Sequence, residues 1–417
     1  MSASKLPRRL AALLLTLLGA QSGTALAGDI AVRAGVLHTG TGESFSPGVV
    51  LIRDGKIAAL GPAASVTVPV GIKLIESAVA TPGLIDGRTV VGLSGAMNQP
   101  HDQDQLERSA AIQPELRAID AYNPRERLVG WLRSHGITTI HTGHGPGEII
   151  SGQTMIAKTA GDTVEDAVIR PVHALSATLG EAAARHHGRA SPGNRSKAVA
   201  MLREQLLKAQ AYAAERAAAE EEGKPPPRDL GLEALAGVLD GELPLVVEVH
   251  RHNDIMTALR LAAEFDLRLV LAGASDAHML MDEIQAAGVP VLLHPTMMRA
   301  RGPEVQNFSF TTARKLLDAG VPVALQSGFE GYVPKTRVVL FEAAMTLRHG
   351  LDFQEALALV TLSPAAILGI DDRVGTLEIG KDGDIALFNG DPFEYTTRVT
   401  GTIVEGRQVA LYEGEDL

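Results

Sequence analysis

Residues 81–90 read TPGLIDGRTV. Thr81, Pro82 and Gly83 punctuate the entry, Leu84 and Ile85 are apolar, and the run stops on the carboxylate of Asp86 with loop-like residues after it. This is the local form of a buried strand whose C-terminal end opens toward chemistry, as strand ends do in a β/α barrel. What Arg88, Thr89 and Val90 do at that end decides how the rest of the chain is read.

Downstream, short runs rich in Val, Ile and Leu recur: GITTIHTG (136–143), LPLVVEVH (243–250), LRLVLAGA (267–274), VPVLLHP (289–295) and VPVALQSG (321–328). Helical patterns such as DIMTALRLAAEF and TTARKLLDAG lie between them. Continuous apolar strands alternating with helices predict an α/β fold with a parallel sheet covered on both faces. Residues 81–371 are long enough for a (β/α)8 TIM-type barrel, which takes about 250 residues. An open doubly wound sheet is the alternative. Residues 196–230 read as a helical insertion, strong in helix formers until Gly223 and the prolines of KPPPRD stop it.

The two ends are different in style. Residues 28–80 and 372–417 read as short alternating strands, with hairpin signals at Asp54-Gly55, Asn389-Gly390 and Glu405-Gly406. They predict one composite β-sandwich domain assembled from both chain ends, and a two-ended β domain favours the barrel over the open sheet.

Composition narrows the function. The 417 residues are 45% apolar and 21% charged, with a formal charge of −11. That acidity, with no basic stripe, argues against a nucleic-acid partner. The absence of cysteine excludes disulfides, thiolate metal sites and Cys nucleophiles. Residues 1–27 have the form of a signal peptide: Lys5, Arg8 and Arg9, then an apolar stretch from Leu10 to Ala20, then Ala25-Leu26-Ala27. Cleavage after Ala27 predicts a periplasmic or secreted chain, and no later segment is apolar enough to predict membrane insertion. N-terminal sequencing of protein from its native host should begin at Gly28; an exported form that keeps Met1 would refute the cleavage.

The order of these parts resembles the amidohydrolase superfamily, in particular its imidazolonepropionase-like branch. The match is carried by TPGLIDG, by IQPELRAIDAYNP (112–124), by HGITTIHTGHGPGEIISGQTMIAKTAG (135–161), by VVEVHRHNDIMTALRLAAEF (246–265), and by the closing block GLDFQEALALVTLSPAAILGIDDRVGTLEIGKDGDIALFNGDPFE (350–394). The resemblance implies an eight-stranded barrel, one or two divalent metals at its C-terminal mouth, and hydrolysis of non-peptide amide or cyclic amide C–N bonds. Such a metal lowers the pKa of bound water and polarises the scissile carbonyl.

Carried over position by position, the implied metal set is depleted. The two first-strand histidines fall on Arg88 and Val90, neither of which ligates a metal. The fifth-strand histidine falls on His250, which is present. The sixth strand ends without a histidine, with Asp276 and His278 following. The eighth-strand aspartate, also the usual general base, falls on Gly328 with Ser327 beside it. A rearranged site, for one zinc ion, is open to His141, His250 and His294, each near a predicted strand end, with Glu248 sharing the side of its strand with His250. The other reading is that these histidines hydrogen-bond within the mouth without metal. Arg88 would then hold a ligand carboxylate or pair with Asp86, Glu248 or Asp276.

Weaker motifs add little. GHGPG (143–147) lacks phosphate-loop spacing; HDQDQ (101–105) does not match a calcium loop; His252 reads as the start of a helix and His186-His187 as surface. Ser94 has no assignable base, and there is no G-x-S-x-G elbow. Three readings of function remain: a metal-dependent C–N hydrolase with weak or absent activity; a non-catalytic relative that binds a small ligand, an intact amidohydrolase paralogue or another copy of itself; and an active hydrolase with a single-metal site around His250.

Overall fold

The structure, a computed structural model, describes residues 29–97, 99–184, 192–221, 223, 227–298, 302–329 and 336–411. The expected signal peptide and the His186-His187 pair lie outside the described residues. Among those residues no helix is long and apolar enough to cross a membrane.

Both chain ends enter one sheet. It contains β1 (Ile30–His38), β2 (Ser44–Phe45), β3 (Gly48–Arg53), β4 (Lys56–Pro62) and β5 (Lys73–Pro82) from the N-terminal side. Strands from the C-terminal side extend it on the far edge of β5. The Asp54-Gly55 turn joins β3 to β4 with both residues at positive φ, 49° and 78°, the geometry of a two-residue hairpin of the I′ kind. The strands expected to form a β-sandwich are hydrogen-bonded into one sheet. Its edge at the β3–β4 turn also touches residues 382 and 383: Lys56 bridges Asp382, and Gly383 N–H donates to the Gly55 carbonyl. Ile30, Val32, Val50, Ile52, Ile385 and Ile403 form one buried apolar cluster on this sheet.

β6 (Leu84–Thr89) follows after the single residue Gly83 and pairs in parallel with β7 (Ile137–Thr142). Residues 150–158 come next as β8 (Ile150–Gln153) and β9 (Met155–Lys158), broken at Thr154. β9 is antiparallel to β7 and carries β10 (Val168–Arg170) on its other edge, while β8 is antiparallel to β11 (Leu175–Thr178). β11, β12 (Leu245–Val249), β13 (Leu269–Gly273), β14 (Val291–Leu293) and β15 (Val323–Leu325) are parallel neighbours in chain order. β15 returns to β6 through the Thr89–Gly328 bridge and the bond from Gly328 N–H to the Arg88 carbonyl at 3.0 Å. The four-stranded sheet of β6, β7, β9 and β10 and the six-stranded sheet of β8 and β11–β15 therefore meet at that bridge. The sheets are mixed, not all parallel as expected: ISGQTMIAK is fully buried yet interrupted by Ser151, Gly152, Gln153 and Thr154, so it carries no apolar run to announce itself.

The expected insertion is a helix over Arg195–Glu221 packed on a second helix over Leu230–Leu239. The chain then returns to the first sheet through β16 (Ile385–Phe388), β17 (Val399–Val404) and β18 (Arg407–Val409), with Glu405-Gly406 turning the last hairpin as predicted.

Candidate functional site

The parallel strands β11, β12, β14 and β15 end on the same side. Residues at or just beyond those ends line a cavity of about 180 Å³: Thr178, Glu248, His250, His294, Gln326 and Gly328. Two acids from connecting segments, Glu181 and Glu304, complete its polar wall; Leu179, Met298 and Phe329 form part of an apolar one.

Glu248 and His250 sit two apart on β12 and its exit, so their side chains point the same way. His250 Nε2 lies 3.2 Å from Glu248 Oε1, and His250 Nδ1 lies 2.9 Å from Ser275 Oγ. Burial pushes the Glu248 carboxyl up, but the His250 hydrogen bond and the charges of His250 and Arg88 outweigh it and hold the group below its ordinary value. Gly273, at φ 75°, makes room for the pair: a Cβ there would come within 2.7 Å of Glu248 Oε1 and of His250 Cε1.

His294 faces the same cavity. Its Nδ1 lies 2.8 Å from the Pro295 carbonyl oxygen, which can only accept. Nδ1 therefore carries the proton, and Nε2, buried and without a partner, presents a bare lone pair. Burial pushes His294 down to about 4, so the ring is neutral at physiological pH.

His141 does not join them. Its ring is fully buried, with Nδ1 2.8 Å from the Gly87 carbonyl oxygen and Nε2 2.8 Å from Thr154 Oγ1, so both nitrogens are engaged within the protein. Burial above all, then the neighbouring His173 and Arg88, depress it well below its ordinary value. Ser327 turns away as well: its N–H donates to Asp86 Oδ1 at 2.9 Å and its Oγ accepts from Thr336 Oγ1 at 2.9 Å.

Arg88 is 4% exposed. Its Nη2 donates to Ser176 Oγ at 2.7 Å and to the His144 carbonyl at 3.0 Å; Nη1 has no hydrogen-bond partner. None of the three anticipated acids forms an ion pair with it. Asp86 instead accepts the Arg88 backbone N–H at 3.2 Å, Asp276 binds His252 at the start of the helix His252–Phe265, and Glu248 acts on Arg88 only through space. Burial lowers the guanidinium pKa and the Glu248 charge pulls it back up. Arg88 is not on the cavity wall; it lies among β6, β11 and the loop after β7.

These residues do not suit the divalent metal that the superfamily implies. At the positions of the expected ligands stand the buried Arg88, the buried apolar Val90 and the side-chain-free Gly328, whose φ is 67°. His250 has both ring nitrogens engaged, leaving His294 alone with a free nitrogen. Among the described residues no group of three or more His, Asp or Glu side chains is placed to hold a metal ion.

Sequence reading missed Gln326, whose buried Oε1 has no partner on the cavity wall. A polar residue at the end of the apolar run VPVAL was the available signal. It also missed Glu304, which accepts from Glu181 N–H at 2.9 Å and pairs with Arg195; no pattern near Glu304 marks it.

The strand order, the two-ended sheet and a polar cavity at the strand ends together describe an α/β protein with a pocket at the ends of its parallel strands. The profile of the Amidohydrolase family matches residues 85–410, and the chain belongs to that family, on its imidazolonepropionase-like side. It is 24% identical over 409 residues to an imidazolonepropionase of Geobacillus sp. (strain WCH70), covering 88% of this chain and 91% of that one. It is 26% identical over 399 residues to the amidohydrolase tasK of Hapsidospora irregularis, covering 85% of this chain but only 39% of that protein, so it spans about two-fifths of that relative's length. An amidohydrolase structure from Thermotoga maritima MSB8 superposes with a TM-score of 0.87 at 26% identity, covering 92% of this chain and all of that one.

Proposed function

We propose that this chain is an exported amidohydrolase-family protein, a (β/α)8-type barrel of C–N hydrolase descent. In this reading its mouth cavity holds a small polar ligand and its hydrolytic activity is weak or absent. The observation that carries it is Arg88. A permanent cation is buried in place of the first metal ligand, and no carboxylate among the described residues lies close enough to pair with it. A dication close to that guanidinium would meet strong repulsion in a poorly solvated interior, and one bound water cannot be activated without a centre to hold it. What the cavity retains is shape and hydrogen-bonding groups, which suffice for binding.

A single-metal hydrolase around His250 is the second reading, favoured by the bare Nε2 of His294 in the same cavity as Glu248 and His250. Elemental analysis of purified mature protein after mild chelation separates the two. Well under one zinc per chain is the expected result. One or two retained zinc ions, released by His250→Ala, would establish the second reading instead.

A further inference from the structure

The polar groups on the cavity wall are unequal in kind. Hydrogen-bond acceptors dominate. His294 Nε2 is a lone pair by necessity, because its other nitrogen donates to a carbonyl. Gln326 Oε1 is buried without a partner. Glu248, Glu181 and Glu304 add three carboxylates, and the wall contains no lysine or arginine among the described residues. Arg195 neutralises part of Glu304 but is shared with Asp254, and Arg88 offsets part of the Glu248 charge from behind the wall. A buried acceptor left without a donor is unfavourable, so a ligand that brings N–H groups suits a wall rich in acceptors.

Resting on the ligand-binding reading above, we propose that the cavity receives a cationic, donor-rich nitrogen head group of the amidine, guanidine or primary-amine class, with Glu248 as its counter-charge and His294 and Gln326 beside it. A carboxylate ligand is disfavoured: it would bring acceptors to acceptors and negative charge to negative charge. The cavity is smaller than the ~300 Å³ at which drug-sized pockets begin, which suits one planar head group. Leu179, Met298 and Phe329 offer an apolar surface to whatever carries it.

Three probes of nearly one shape test this: benzamidine, benzamide and benzoate, titrated into the mature chain by calorimetry. Benzamidine should bind at least about tenfold tighter than benzamide, because charge-assisted hydrogen bonds are about twice as strong as neutral ones, and benzoate should not bind measurably. Glu248→Gln, checked for folding by circular dichroism, should lower benzamidine affinity about tenfold or more and change benzamide affinity far less. Benzoate binding as tightly as benzamidine, no binding by any probe at millimolar concentration, or benzamidine binding unmoved in a folded Glu248→Gln chain would each overturn the proposal. Zinc content reports separately on the reading beneath it. A zinc-loaded chain that prefers benzamidine keeps this inference and loses that one; a zinc-poor chain that prefers benzoate does the reverse.

Discussion

Lys158→Met is expected to destabilise the chain by about 3–5 kcal/mol, the range for removing one partner from a buried ion pair. Lys158 closes β9 and is 2% exposed. Its Nζ donates to Asp382 Oδ2 at 2.9 Å and to Asp384 Oδ2 at 2.7 Å, both acids being buried. Asp382 also takes Lys56 at 2.6 Å and Arg373 at 2.9 Å. The cluster thus joins β9, the start of β4 and the segment that enters β16. Burial alone would lower the Lys158 pKa, but the charges of Asp384 and Asp382 raise it above its ordinary value. That raised value means its contribution is complete below the unfolded pKa and is lost only as pH rises through the folded one. Methionine keeps most of the volume, so the measured loss isolates the carboxylate of Asp384, left without its cation while Asp382 keeps Lys56 and Arg373, from any packing defect. Urea denaturation of both proteins at neutral pH reads it; a change under about 1 kcal/mol would show that the cluster is solvated and contributes as a surface network does.

Stability is also expected to fall as pH rises from about 4 to about 7, by up to about 4 kcal/mol, through Asp86 alone. Burial raises the Asp86 carboxyl from 3.8 to about 7, against the lowering effect of the hydrogen bonds from Ser327 and Arg88 N–H. Its Oδ2 has no partner. In this window the folded chain keeps the proton and the unfolded chain has lost it. The native state therefore binds more protons, and raising pH favours unfolding. Asp382 behaves in the opposite sense: despite burial, Lys158 and Lys56 hold it below 3.8, so its contribution is present above that value and is lost as pH falls through the folded pKa. Asp86→Asn keeps an oxygen for the two backbone N–H donors and carries no charge, so the slope between about pH 4 and pH 7 should flatten. Urea denaturation series across that window, wild type against Asp86→Asn, provide the measurement. Equal slopes in the two proteins would place the pH dependence elsewhere.

Much of the architecture was legible in the chain itself. The strands at 81–90, 243–250, 267–274, 289–295 and 321–328 announced themselves because apolar periodicity is local. The hairpins at Asp54-Gly55 and Glu405-Gly406 did so because a two-residue turn needs positive φ, which few residues adopt readily.

Only the tertiary structure decided how the remaining polar groups are used, because a hydrogen bond depends on where distant residues meet. His141 was one of three equal candidates until the fold placed it against Gly87, 54 residues away, and Thr154. His294 acquired a bare nitrogen only through the direction of the Pro295 carbonyl. Arg88 had three plausible counter-ions in the sequence, and its side chain forms an ion pair with none of them. Lys158 carries no signal in GQTMIAKTAG, yet it meets Asp384 across 226 residues of chain. Residue type and spacing alone determined which groups this protein has; the desolvated contacts of the folded chain determined which of them are already satisfied and which remain open to a ligand.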